Sequence, residues 1–377
     1  MNRTVFLLAC FLFNLSGMAQ KERGATPLSP IKIPMTAERW YFPAGSCEFL
    51  QHRSVPAMRL LTKEGVSVLK DLSFANGTIE YDVEPESEDF AGIYFRKKDS
   101  LESEYFYLRL FAPGVPNVMA DVQYTPIIDG VNCWNLLPYC QGTGTFAKGQ
   151  WNHVKLVVSG SQMLVYVNNL NHPTLEIPQL EGNTKTGSLG FSGTALIANL
   201  VVTPDATEGL SPVAGFDPFY NDPRYLRQWS VSQPVDLPKG RELTRNDLPK
   251  QNTEWKKITT ERRGLVNITR LYGNSQTRRV VWLKCRLKAP LAQNRIVDFG
   301  FTNEVWVFLN GKIAMVDKNF FDDPLCKRPR ARCSTENTSF TLPLQAGDNE
   351  ILIGIANDFF GWGIMARMDT MDGIEVL

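Results

Sequence analysis

The chain has 377 residues with 40 basic and 39 acidic side chains, a formal charge of +1. That length exceeds what one hydrophobic core usually organises, so two domains are expected. The dispersed, balanced charge excludes an electrostatic footprint for nucleic acid, and no apolar run reaches the ~20 residues of a transmembrane anchor.

In chain order, residues 1–19 read as a signal peptide: Arg3, the apolar run Val5–Leu15, then Gly17-Met18-Ala19 before a cut at Gln20. Cys10 lies inside the apolar run rather than after it, so a secreted or periplasmic protein is expected and a lipoprotein is not. Residues 20–39 form an N-terminal segment. From 40 to 203, short segments with period-two alternation are separated by Gly, Asn, Asp and Pro turns. "TIEYDVEP", "AGIYFRKK", "EYFYLRLF", "WNHVKLVVSG", "MLVYVNNL" and "ALIANLVVTP" are the clearest. Residues 204–223, rich in Pro, Gly and Asp, read as a linker. Strand patterns resume over 224–377 in "RRVVWLKCRLKAP", "RIVDFGFTNEVWVFLNGKIAMV", "LQAGDNEILIGIAND" and "GWGIMARMD", with Asn310-Gly311 as a two-residue hairpin turn. The expected fold is all-β: two β-sandwich (jelly-roll) domains in tandem.

Six cysteines follow the leader. Cys133 with Cys140, and Cys326 with Cys333, are locally spaced, and an oxidising compartment makes each pair an expected disulfide. Each such loop would contribute roughly 2.5 kcal/mol in the chain-entropy model. Cys47 and Cys285 read as buried thiols. His52, His153 and His172 lack ligand spacing to a cysteine pair, so no metal centre is expected. A structural calcium is compatible with either sandwich, but no Asp/Asn loop is dense enough to place one.

Strand parity gives the main candidate site. Tyr105, Tyr107 and Arg109 share one face of "EYFYLRLF", and Tyr94 and Arg96 share one face of "GIYFRKK". As hairpin neighbours these strands would pool three phenols and two guanidinium groups, a surface suited to a polyol. Gln123, Tyr124 and Trp134 stand ready to complete it. A second candidate is the turn 357–362 in "IANDFFGWGIMARMD". There Phe359 or Phe360 is expected in the core, with Trp362 and Asp358 exposed to a ligand. Trp282 falls on the face opposite Val281, Leu283, Cys285 and Leu287 and is expected to lie under a loop. Trp306 is expected in the core. Glu102, Glu104, Asp121 and His153 are candidate acids and bases, but no motif orders them. Glu80, Asp82 and Glu84 alternate as a polar strand face.

The features over 40–203, "FANGTIEYDVEP", "DFAGIYFRKKD", "EYFYLRLF", "WNHVKLVVSGSQMLVYVNN" and "GSLGF", together resemble the concanavalin-A-like jelly rolls of laminin-G type. They look closest to the branch with bacterial 3-keto-disaccharide hydrolase domains. "EVWVFLNGK", "FTLPLQAGDNEILIGIAND" and "GWGIMARM" are similar to the galactose-binding-like sandwich found beside glycosidase domains. The resemblance implies carbohydrate contact, although scaffold motifs do not transfer a site. The Glu-x-Asp-x-x-Glu strand of family-16 glycosidases is absent, as are the alginate-lyase signatures, a Ser–His–acid order and a phosphate-cradling Gly loop. The expected function is exported carbohydrate recognition in glycan breakdown. The alternatives are a lyase or hydrolase of a modified (3-keto) disaccharide using the first jelly roll, and a non-catalytic cell-surface interaction protein.

Overall fold

A computed structural model describes residues 29–110, 121–273, 277–321 and 323–377. The expected leader at 1–19, and residues 20–28 of the N-terminal segment, lie outside them. About half of the chain is β-strand, and the helical elements among the described residues are one four-residue α-helix at Thr269–Tyr272 and three single-turn 3-10 helices.

The principal strands of the first half are β1 (Gly77–Pro85), β2 (Phe90–Lys97), β3 (Ser103–Arg109), β4 (Val122–Ile128), β5 (Asn152–Ser159), β6 (Gln162–Val167), β7 (Ser188–Gly193) and β8 (Ala195–Pro204). One antiparallel sheet runs β6-β5-β1-β8 and continues through Val55–Leu60 to Cys47–His52. The other runs β4-β3-β2-β7 and continues through Ser67–Leu69 to Trp40–Tyr41. Ile31–Lys32, from the expected N-terminal segment, also pairs with β8. Alternation decides which side chains meet: Ile79, Tyr81 and Val83 from β1 and Val154, Leu156 and Val158 from β5 point at Ile93, Phe95, Phe106, Leu108, Val122 and Tyr124. All are buried and form one core.

The second half contributes β9 (Arg279–Ala289), β10 (Gln293–Phe301), β11 (Asn303–Leu309), β12 (Lys312–Asn319), β13 (Thr338–Leu344), β14 (Gly347–Asn357) and β15 (Gly363–Met368). A sheet containing β9-β14-β11-β12 faces a smaller one containing β15-β10-β13. Val281, Leu283, Cys285 and Leu287 lie in the core between them, as their parity predicts. The outer face of the larger sheet carries Trp282, Trp306 and Phe308. The chain around Leu237, Leu243 and Trp255 covers them. Trp282 is thus covered as expected, and Trp306 is a core residue as expected, in this outer layer, with its Nε1 donating to Glu242 at 2.9 Å. Between Pro204 and Gln228 there is no strand. Asp217 in this stretch is held by Arg263 at 2.9 and 3.1 Å.

The two halves pack firmly. Leu265, Cys333 and Met365 belong to the core of the first half. Asn135, 2 % exposed, binds Gly361 through both ends of its amide: Nδ2 donates to the Gly361 carbonyl at 2.9 Å, and Oδ1 accepts the Gly361 N–H at 2.9 Å. The Asn135 carbonyl also accepts the Cys333 N–H at 2.8 Å. A Cβ on Gly361 would stand 2.6 Å from Asn135 Oδ1, so only glycine permits this approach. Nearby, Arg270 donates to Glu261 at 2.6 Å, to Asn183 at 2.5 Å and to the Glu181 carbonyl.

The expected disulfides are corrected by the structure: all six described cysteines are free thiols. The sulfurs are directed to backbone carbonyls, Cys133 to Val131 at 3.5 Å, Cys326 to Lys327 at 3.6 Å and Cys333 to Gly363 at 3.8 Å. Cys133, Cys140 and Cys333 are core residues, and burial pushes the Cys133 thiol up to about 12. Tight turns hold the first loop: the Leu136 N–H reaches the Cys133 carbonyl at 3.0 Å, and the Cys140 N–H reaches Leu137 at 3.1 Å. Cys47 and Cys285 are buried thiols, as expected.

Two outcomes follow for the junction. Replacing Asn135 with Ala strands the buried Gly361 N–H and carbonyl, at about 1–3 kcal/mol each, which a drop in the urea midpoint will read. Glu181 is buried against Arg262 and Arg270 and faces Glu261 and Glu104; burial, then the Glu261 charge, raise it to about 7. A carboxyl raised on folding contributes stability in full below its unfolded value, near 4.5. That stability is lost as pH rises through about 7. Glu181→Gln should flatten the unfolding midpoint across that window; an unchanged slope would show that another group sets it.

Candidate functional site

The hairpin register assembles the site. Tyr94 lies opposite Tyr105, Gly92 opposite Tyr107 and Phe90 opposite Arg109, while β4 sets Gln123 beside Tyr107. Tyr94, Tyr105, Tyr107, Arg109 and Gln123 therefore share the sheet face turned away from the first core. A Cβ at Gly92 would sit 2.5 Å from the Tyr105 ring, so the absent side chain is what lets that ring cross to β2.

The phenols stack on one another. Tyr94 and Tyr105 centroids are 4.1 Å apart at 21°, and Tyr105 and Tyr107 are 5.0 Å apart at 26°. Phe90 meets Tyr107 edge-on at 5.3 Å, and the Arg109 guanidinium lies 5.2 Å from the Tyr107 centroid. A buried polar chain supports this row. Arg109 donates to the Tyr107 hydroxyl at 3.0 Å, and that hydroxyl donates to Gln123 Oε1 at 3.0 Å. Gln123 Nε2 donates to the Trp134 carbonyl at 2.9 Å. Arg109 also donates to Gln141 at 3.3 Å. Burial raises the Tyr107 phenol and lowers the Arg109 guanidinium, against the opposing pull of each on the other.

The second half supplies an opposite wall. Trp134 meets Phe321 at 5.5 Å and Phe360 at 5.7 Å, both near 77°, and Phe359 meets Phe360 edge-on at 4.5 Å. Between the walls is a cavity of ≈ 320 Å³ whose lining includes Tyr94, Tyr105, Tyr107, Arg109, Trp134 and Phe360. Phe321 and Phe359 line it too, as do the polar residues Lys63, Asp89, Asn132 and Ser192. Asp89 is ion-paired with Lys63, and Tyr105 shares a hydrogen bond with Ser192 at 3.2 Å. Phe360 has a φ of 53°, a left-handed conformation rare for a bulky residue. The Asn357 side chain, donating to the Phe360 carbonyl at 3.1 Å, and the Asn135–Gly361 contact hold it there.

Five of the residues expected from parity and loop position, Tyr94, Tyr105, Tyr107, Arg109 and Trp134, thus line one cavity. Gln123 is fully buried behind them and positions Tyr107 and Trp134 without lining the cavity. Arg96 is a correction. The register between β7 and β2 shifts beside it, and Arg96 takes a φ of 48°, so alternation fails and the side chain leaves the tyrosine face. At 1 % exposure it donates to the Ala75 and Gly160 carbonyls at 2.8 and 2.9 Å. Tyr124 is also on the core side, donating to buried Glu104 at 2.6 Å.

The turn 357–362 is inverted relative to expectation. Trp362, 1 % exposed, is in the second core under Arg279, whose guanidinium lies 5.5 Å from its ring. Phe359, 37 % exposed, and half-buried Phe360 face the cavity instead. The reason is the clasp on Gly361 together with two backbone bonds to the Trp362 carbonyl, from Ile268 and Thr269 at 2.8 and 3.3 Å, which turn the indole inward. Asp358 is exposed but does not line the cavity.

The candidate acids and bases lie elsewhere. His153 sits between Asp82 at 2.8 Å and Glu80 at 3.2 Å on the outer side of the other sheet, and Glu84 takes bonds from His52 and Arg53. Glu102 binds Asn183, and Asp121 accepts the Gly144 N–H at 3.1 Å. Among the described residues, Asp89 is the one carboxylate lining the cavity, and no group of three or more His, Cys, Asp or Glu forms a metal cluster. Sequence reasoning missed Asp89, Phe321 and buried Arg332, whose guanidinium lies 4.9 Å from the Trp134 centroid. Nothing local in their segments signals contact across the junction.

No family model matches the chain, and no curated protein matches it. Solved structures do. A carbohydrate-binding module, CBM66, from Bacillus subtilis is 11 % identical over 44 % of this chain and 92 % of its own, with a TM-score of 0.32. A protein of unknown function with a galectin-like fold, also from Bacillus subtilis, is 12 % identical over 48 % and 97 %, with a TM-score of 0.35. Domain 4 of a GH43 extracellular arabinanase from Geobacillus stearothermophilus, in complex with arabinotriose, is 13 % identical over 48 % and 86 %, with a TM-score of 0.31. At these scores the likenesses carry no weight for ligand or activity, so the site's own geometry must bear the functional reading.

The inverted turn separates two roles. Trp362→Ala should lower unfolding free energy by about 3–5 kcal/mol, as for other buried aromatics, a loss that chemical denaturation measures.

Proposed function

We propose that the protein binds carbohydrate in the cleft between its two halves. The observation that carries this is the enclosure of a ≈ 320 Å³ cavity by aromatic side chains from both halves, with hydroxyl, amide, carboxylate and guanidinium groups converging on it. Apolar rings with a few directed polar groups are what a polyol with C–H faces and hydroxyl edges needs. Because the tyrosines use ring surface on each other, Trp134, Phe359 and Phe360 become the principal apolar contacts. The phenol row then supplies hydroxyls and ring edges. The volume lies at the small end for ligand sites, which favours a chain end or short oligosaccharide over a long polymer.

Export, a place in glycan breakdown, and a division into domains at 40–203 and 224–377 joined by 204–223 belong to the same reading. They rest on the sequence patterns alone. Glycoside hydrolysis by paired carboxylates is not favoured, because Asp89 is the one described carboxylate at the cavity and it is paired with Lys63.

A glycan array followed by calorimetry on the best oligosaccharide tests the reading. Phe359→Ala and Tyr94→Ala, both at incompletely buried positions, should each weaken binding at least about tenfold while leaving the circular dichroism spectrum intact. Binding indifferent to substitution on both walls would contradict a site in this cleft.

A further inference from the structure

Asp89 stands one residue beyond the pairing of Phe90 with Arg109, and its carbonyl accepts the Leu110 N–H at 3.2 Å. Its carboxylate belongs to the cavity lining, on a side chain 7 % exposed. Other aspartates of this chain are held by nearby N–H groups. The Asp217 carboxylate accepts the Phe219 N–H at 3.0 Å and two Arg263 donors, and Asp99 accepts the N–H groups of Leu101 and Glu102 at 2.8 and 2.9 Å. Among the described residues no backbone N–H reaches the Asp89 carboxylate. Its ion-pair partner is Lys63, whose side chain is 71 % exposed, and Asp89 Oδ2 is shut off from water without accepting a hydrogen bond.

An ion pair with a solvated lysine contributes little, and shielding a carboxylate from water without hydrogen bonds is costly. Folding alone therefore leaves this group short of donors. Lys63 balances its charge, yet an ionised carboxylate has about four lone-pair sites, and a single ammonium does not fill them. A neutral O–H is the donor that fits, because it makes a charge-assisted hydrogen bond without setting a second cation beside Lys63. We infer that Asp89 selects the ligand: its carboxylate accepts hydrogen bonds from two adjacent hydroxyls of an uncharged sugar unit whose C–H face rests on Trp134 and Phe360. A sugar that lacks one of those hydroxyls leaves a buried acceptor unpaired, the situation in which a polar site discriminates most strongly. The inference rests on the proposed carbohydrate site and names the residue that chooses among sugars there.

The test is calorimetry on the full chain with neutral trisaccharides of glucose, mannose, galactose, arabinose and fructose. The tightest binder is compared with its monodeoxy derivatives, and with an analogue carrying an ammonium in place of a recognised hydroxyl. On the native chain, removal of either of two adjacent hydroxyls should weaken binding about tenfold or more, the penalty for a lost hydrogen bond to a charged group. Asp89→Asn, which keeps the side-chain shape, should weaken the parent similarly and bring it within about threefold of those two deoxy derivatives. The ammonium analogue should bind no tighter than the parent. Native affinity in Asp89→Asn, or a deoxy penalty that survives it, would overturn the inference while leaving a carbohydrate site standing. Tighter binding of the ammonium analogue would overturn it too, by making Asp89 a cation site. If no neutral trisaccharide binds but a charged glycan does, the inference alone falls; if no glycan binds at all, the carbohydrate reading falls with it.

Discussion

The Asn135 side chain closes on the Gly361 peptide from both sides, and the shape of the cleft depends on that pair of hydrogen bonds. One wall of the cavity is a sheet face, rigid because its strands are paired on both sides and its reverse is core. The other wall is a turn, and a turn two residues longer or differently seated would place its rings elsewhere. The clasp fixes Gly361, which puts Phe360 into a left-handed conformation and aims it with Phe359 at Trp134, while Trp362 is driven into the core. The backbone strain at Phe360 is retained because the surrounding contacts leave no alternative path.

This arrangement also explains why the proposed site is a cleft and not an open concave surface. Tyrosines at consecutive outward positions of neighbouring strands are close enough to stack, and stacking consumes the ring faces that a sugar would otherwise use. The row is then a rigid, hydroxyl-bearing floor. In the proposed site the apolar contact comes from the opposing rings, so neither half would be complete without the other.

Much of the first wall was legible in the sequence because extended backbone has a period of two, and Tyr94, Tyr105, Tyr107 and Arg109 are the direct product of that rule. The rule failed at Arg96, where a register shift and a left-handed φ interrupt alternation. Such a break depends on how β7 seats against β2, which the residues around Arg96 do not encode locally. The second wall was legible only as an aromatic turn. Its sense was wrong because the determining partner, Asn135, is 226 positions away in sequence. The cysteine pairs misled for a related reason: close spacing says nothing of where the sulfurs point once Cys133, Cys140 and Cys333 enter the core at the junction.

Amide hydrogen exchange with and without a bound oligosaccharide tests the central claim most directly. A ligand held between the walls should slow exchange both around 90–109 on the tyrosine wall and around 357–362 on the facing turn. Slowing confined to one of these segments, or located at neither, would contradict a site shared by the two halves.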